Sequence, residues 1–149
     1  MTLCIRPVGL EDWPMLRSIF LASRQVMFPK AAPGSFQLTD LDQQTQSETI
    51  LIAEASLSNG ARQTIGFISI QEIDHFIHHL MVDASMQGKG VGRRLLRSLP
   101  DWGHAKYRLK CLCSNTQATA FYLACGFLLV DTGVDVDGEF AVFQFAPRA

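Results

Sequence analysis

The chain has 149 residues, a length that suits one domain, and the whole of 1–149 is expected to fold as a single unit. Apolar residues make up 48% and charged residues 18%, which excludes a disordered tail protein. Lys plus Arg is 13 and Asp plus Glu is 14, so the net charge is −1 and argues against bulk electrostatic binding to nucleic acid or membrane.

In chain order, Leu3 to Val8 reads as a short strand that ends at Pro7-Val8-Gly9. Trp13, Leu16, Ile19, Phe20 and Val26/Met27 recur at helical spacing, which predicts a helix over 11–27 with Pro14 early, where its missing N–H does least harm. Phe28 to Phe36 is a Pro- and Gly-rich break, and Thr39 to Ser47 reads as a short polar helix. Thr49 to Ala55 and Thr64 to Ile70 read as two strands of a hairpin around the Asn59-Gly60 turn signal. Phe76 to Val82 is a further strand, followed by a polar, Gly-rich segment to Gly92. Val91, Leu95, Leu96 and Leu99 form an apolar helical stripe that Pro100 stops. Leu109 to Cys113 reads as a strand, with the two thiols of Cys111-Leu112-Cys113 on one face. Asn115 can cap a helix over 116–125, and Gly126 suits its C-terminal end. Phe127 to Val130 and Phe140 to Phe145 complete the set, joined by an acidic loop over 131–139. This order mixes hairpins with crossovers, so it predicts a mixed α/β fold with one sheet and helices on both faces.

The four cysteines carry no CxxC or Cys/His spacing of a zinc site, so no metal is expected. No stretch resembles a signal peptide or approaches ~20 apolar residues. A soluble, reducing, cytoplasmic setting follows as the expectation, with no membrane and no nucleic acid among the partners.

Polar chemistry is concentrated at Met86 to Leu96, which follows a predicted strand and opens a predicted helix. Glycines there let the backbone approach a ligand and aim successive N–H groups at it, and a helix N-terminus adds partial positive charge. Lys89, Arg93, Arg94 and Arg97 add basic side chains. The segment is therefore suited to phosphate oxygens. It is not a Walker A loop, because Gly90 rather than Ser or Thr follows Lys89. It is not a dinucleotide fingerprint either, because the third glycine is replaced by Arg93 or Leu95 in the two registers.

The spacing Gln87-x-x-Gly90-x-Gly92 instead resembles the pyrophosphate loop of the GCN5-related N-acetyltransferases (GNAT). Leu80-Met81-Val82 looks like that family's strand before the loop. Asn115, Ala118, Phe121-Tyr122 and Cys125-Gly126-Phe127 look like its later signature. Position 84, commonly Pro in the family, is Ala here. The resemblance is specific over residues 76–127, weak before residue 48, and closest to small stand-alone bacterial members. It implies a mostly antiparallel sheet of six to seven strands, with two parallel central strands splayed apart.

By the same resemblance, acetyl-CoA is the co-substrate, and its pyrophosphate meets the backbone of Gln87, Gly88, Lys89, Gly90, Val91, Gly92 and Arg93. The pantetheine arm pairs with Leu80, Met81 and Val82, and Asn115 hydrogen-bonds it. Tyr122 matches the acid that protonates the departing thiolate; a phenol of pKa ~10 and a thiol of ~8.5 suit that exchange. A lysine-like acceptor is only about 0.04% neutral at pH 7, so a base must help. The family's base positions fall on Phe76 and His78. Phe76 cannot serve, whereas His78 can, with Glu72 and His75 as further candidates. In a regular strand His78 shares a face with Phe76 and Leu80, and His79 with Ile77 and Met81, unless a bulge breaks that parity.

The implied activity is acetyl transfer to a primary amine of a small molecule or peptide, by direct attack in a ternary complex. A non-catalytic CoA-binding sensor or interaction module on the same fold is the alternative, and either leaves room for a homodimer. Two loops are expected to frame the acceptor, Phe28–Phe36 and Asp131–Glu139, the second as an acidic rim drawing cationic amines.

Overall fold

Seven strands form one sheet in the order β1-β2-β3-β4-β5-β7-β6. The computed structural model describes residues 2–147. The strands are β1 (Thr2–Pro7), β2 (Thr49–Ser56), β3 (Arg62–Gln71), β4 (Phe76–Val82), β5 (Arg108–Leu112), β6 (Phe127–Asp135) and β7 (Gly138–Phe145). The helices are α1 (Trp13–Met27), α2 (Asp40–Gln44), α3 (Val91–Arg97) and α4 (Thr116–Ala124), with short 3₁₀ turns at Leu10–Asp12 and Ala84–Met86. Every strand pair is antiparallel except β4 with β5.

The strands are rich in β-branched residues, and β3 is buried along most of its length because both its faces are covered. On one face α1 packs Leu16, Ile19 and Phe20 against Ile50, Ile52 and Phe67, with Leu41 of α2 alongside. On the other, Val91, Leu95 and Leu96 of α3 and Tyr122 of α4 join Ile65, Ile68 and Ile70. Burying a side chain of this size is worth roughly 1.5–3 kcal/mol, so these two layers supply most of the drive to fold.

Polar pins fix the layers' register. Asp12, 3% exposed, accepts two bonds from Arg6 at 2.8 and 2.9 Å, one from the Gly9 amide and one from the Thr64 hydroxyl. These bonds, led by Arg6, pull its pKa down from 3.8 to about 2, and β1, the first helical turn and β3 are thereby tied at one point. Tyr107 is fully buried and donates to the Pro100 carbonyl at 2.6 Å, a structural role.

Two expectations require correction. The acidic segment is mostly strand: β6 continues to Asp135 and β7 begins at Gly138, so only a tight turn separates them. The cross-strand partners that carry β6 onward are residues 138–142, and such pairing leaves no local signature. Cys113 lies beyond the end of β5 and is exposed, whereas Cys111 is buried, so the two thiols do not share a packed face.

Candidate active site

The parallel pair is short. β4 and β5 are in register only at Phe76–Arg108 and Ile77–Leu109 and then diverge. Beyond that point each strand keeps a backbone edge that the other does not satisfy. A cavity of about 810 Å³ occupies the gap, bordered by His78 to Met81 on one side and Lys110 to Leu112 on the other. The segment Phe28–Ala31 with Phe36 covers it from α1, so the first expected framing loop does border the site.

His78, Leu80, Met81, Asn115 and Tyr122 all line this cavity. Val82 continues β4 towards the glycine-rich loop. There Gly88 and Gly90 have φ of 77° and 82°, conformations that a Cβ would strain. The amides of Gly90, Val91, Gly92 and Arg93 donate to no acceptor among the described residues. Gly92 serves packing, because a Cβ there would lie 3.1 Å from Phe121 Cζ. Arg93 and Arg97, one turn apart on α3, border a smaller hollow of about 370 Å³ with Trp102 and Cys125. Glu72 and His75 do not line the large cavity: Glu72 accepts from Thr49, and the His75 ring meets Tyr107 edge-on at 5.2 Å.

Asn115 caps α4, its Oδ1 accepting from the Ala118 amide at 3.1 Å, which leaves its side-chain NH₂ for the cavity. The Tyr122 hydroxyl has no partner among the described residues, and burial, aided by Cys111 and Cys125, pushes its pKa well above the ordinary phenol value. It therefore stays protonated across the physiological range.

Strand parity breaks at the histidines. Ser69 pairs with His79 and Ile70 with Ile77, so His78 is the extra residue of a bulge. The rings of His78 and His79 consequently stack. His78 Nδ1 lies 2.8 Å from Glu48 Oε2, a carboxylate only 2% exposed. Sequence reasoning missed Glu48, which sits 30 residues away in no motif. Its other oxygen, Oε1, is buried without a partner among the described residues, as are Ser69 Oγ and His79 Nε2.

Of the expected acidic rim, Asp135 and Asp137 border the cavity while Asp131 and Glu139 do not. Asp135 is already paired with Lys110 at 2.5 Å. Among the described residues no group of metal-ligating side chains occurs, and no helix is long and apolar enough to cross a membrane.

The family model described as "Acetyltransferase (GNAT) family" matches residues 13–127. The chain belongs to that family. It is an acetyl-CoA-dependent N-acetyltransferase. No curated protein matches it. Its fold is similar to that of a spermidine N-acetyltransferase from Vibrio cholerae in complex with CoA and spermine, at 16% identity and TM-score 0.69, covering 97% of this chain and 95% of that one. It is also similar to a putative acetyltransferase from Salmonella typhimurium with its cofactor acetyl-CoA, at 19% identity and TM-score 0.69, covering 100% and 96%. A third similar structure is the ribosomal-protein-S18-alanine N-acetyltransferase from Escherichia coli, at 20% identity and TM-score 0.67, covering 99% and 96%.

Proposed function

We propose that this single-domain chain acetylates a primary amine of a small molecule or peptide by direct attack in a ternary complex, with His78 as base and Tyr122 as acid. The observation that carries this reading is the cavity at the β4–β5 split, which both residues line, one from β4 and the other from α4.

Acetyl-CoA supplies an activated thioester carbonyl. The unpaired amides of Gly90 to Arg93, with Gln87, Gly88 and Lys89 completing the loop, suit its pyrophosphate. The free edge at Leu80, Met81 and Val82 and the Asn115 NH₂ suit its amide-bearing arm. His78 takes a proton from the acceptor ammonium through Nε2, which frees the nitrogen lone pair for attack. As the carbon–sulfur bond breaks, Tyr122 gives its proton to the sulfur, and the second proton that the acylated nitrogen must shed restores the phenol.

The acceptor end is aromatic, with Phe28 and Phe36 6.0 Å apart, and Arg24 lies over Phe36 at 4.1 Å. With Asp135 paired to Lys110, Asp137 is the rim acid left to meet a cationic acceptor. Binding of spermine by the Vibrio enzyme makes polyamines the first arm of a screen. The four free thiols suit a reducing cytoplasm. Thiol release from acetyl-CoA over a panel of small amines and peptide N-termini tests the reading. Turnover with one class supports it, whereas acetyl-CoA binding without turnover on any amine favours the sensor alternative.

A further inference from the structure

We propose that Glu48 is a positioning residue for His78, holding its imidazole with Nδ1 protonated so that Nε2 keeps the lone pair for the acceptor. This rests on the reading of His78 as the base. Three observations carry it. First, Glu48 Oε2 lies 2.8 Å from Nδ1, and the carboxylate is 2% exposed while the histidine side chain is 33% exposed. A buried acceptor thus anchors a base that reaches into the cavity.

Second, the arrangement is not explained by folding stability. Glu48 Oε1 is buried with no partner among the described residues, and a half-satisfied buried carboxylate opposes folding. Besides His78, its Oε2 receives only a 3.4 Å contact from Gln71. Retaining such a group makes sense where it serves the imidazole.

Third, the bulge in β4 creates the contact. Without it, His78 and His79 would point to opposite faces of the sheet. With it, the two rings stack at 3.9 Å, and Phe20 meets His79 edge-on at 4.9 Å. The His78 ring is therefore fixed by a neighbouring ring as well as by the carboxylate. Beside Glu48, the charged and imidazole groups that share its cavity are His79 on β4, Arg24 on α1, Lys30 after it, Lys110 on β5, Asp135 on β6 and Asp137 in the turn, while β3 contributes neutral Ser69 and Gln71.

The tautomer decides the chemistry. A carboxylate can only accept, so it selects the Nδ1–H form. A carboxamide in its place can donate to Nδ1 and select the opposite form, in which Nε2 carries the hydrogen.

The test is long-range ¹⁵N–¹H spectroscopy of the histidines at pH 8 together with kinetics. The expected result is Nδ1–H for His78 in the wild type and a shift towards Nε2–H in Glu48→Gln. In that variant kcat falls on the order of 10- to 100-fold, with acetyl-CoA KM within about twofold. Glu48→Asp recovers part of the loss. In a His78→Gln background, Glu48→Gln adds nothing further. An Nε2–H tautomer in the wild type, or additive losses in the double variant, overturns the proposal. If Glu48→Gln does not fold, the wild-type tautomer decides alone. Full activity of His78→Gln would instead remove His78 as base, while the spectra still report whether Glu48 sets its tautomer.

Discussion

The imidazoles of His78 and His79 lie stacked with centroids 3.9 Å apart and planes 23° apart, yet their surroundings differ. His78 has a carboxylate partner, whereas His79 has a buried Nε2 with no partner among the described residues. Burial first, then His78 and Arg24, pull the His79 pKa down from 6.5 to about 3. Below 6.5 the unfolded chain takes up a proton that the folded chain refuses. The stability from neutral His79 is thus full above pH 6.5 and is lost as pH falls towards 3, with a slope of up to about 1.4 kcal/mol per pH unit. Chemical denaturation at pH 7.5 and 4.5 should show that His79→Phe shrinks the difference between the two conditions by about 2 kcal/mol. An unchanged difference would mean that His79 is not buried as the neutral base.

Asp12 makes a separate prediction at lower pH. Its pKa is depressed from 3.8 to about 2, so its contribution is present above 3.8 and disappears as pH falls through 2. Asp12→Asn should lose about 2 kcal/mol at neutral pH. The gap between wild type and variant should close between pH 4 and 2, as read by urea midpoints. A gap independent of pH would point to packing rather than charge.

Tyr122→Phe removes a hydroxyl with no partner among the described residues and leaves the ring packing against Phe121 and Phe127. The melting temperature should therefore stay close to wild type, while kcat drops roughly 100-fold and acetyl-CoA KM holds. A parallel loss in kcat and stability would make Tyr122 a packing residue.

Gly90→Ala forces a side chain into φ of 82° at the start of α3, a cost of roughly 1–2 kcal/mol. The variant should relax the loop and raise acetyl-CoA KM severalfold with little change in kcat at saturation. Calorimetric titration with CoA alone checks this, and unaltered affinity would detach the loop from the cofactor.

Asp137→Asn should raise KM for a cationic acceptor, and Asp131→Asn should not, because only the first borders the cavity. Equal effects would restore the picture of a diffuse acidic rim, and no effect from either would discard it.

The parts legible in the sequence were those with local causes. The Asn115 cap, the extent of β4 and the glycine pattern of the loop before α3 each depend on neighbours within a few residues. Gln87-x-x-Gly90-x-Gly92 was readable because positive φ demands glycine at 90 and a close aromatic demands it at 92. The remainder depends on long-range pairing. The lengthening of β6 past Val130 comes from its register with β7. The partnership of Glu48 with His78 comes from a bulge that regular alternation does not encode. The neutralisation of Asp135 comes from Lys110 on another strand.

The brief register between β4 and β5 has a mechanical consequence. The sheet consists of two plates, β1–β4 and β5–β7, hinged at Phe76–Arg108 and Ile77–Leu109. A ligand that bonds to both open edges works as a splint, converting two plates into one continuous slab. Its occupancy should then be felt far from the chemistry, as slowed amide exchange along β5 and β7 and as resistance to proteases. In this enzyme the donor molecule would serve as a reagent and, for the length of each turnover, as a piece of the scaffold.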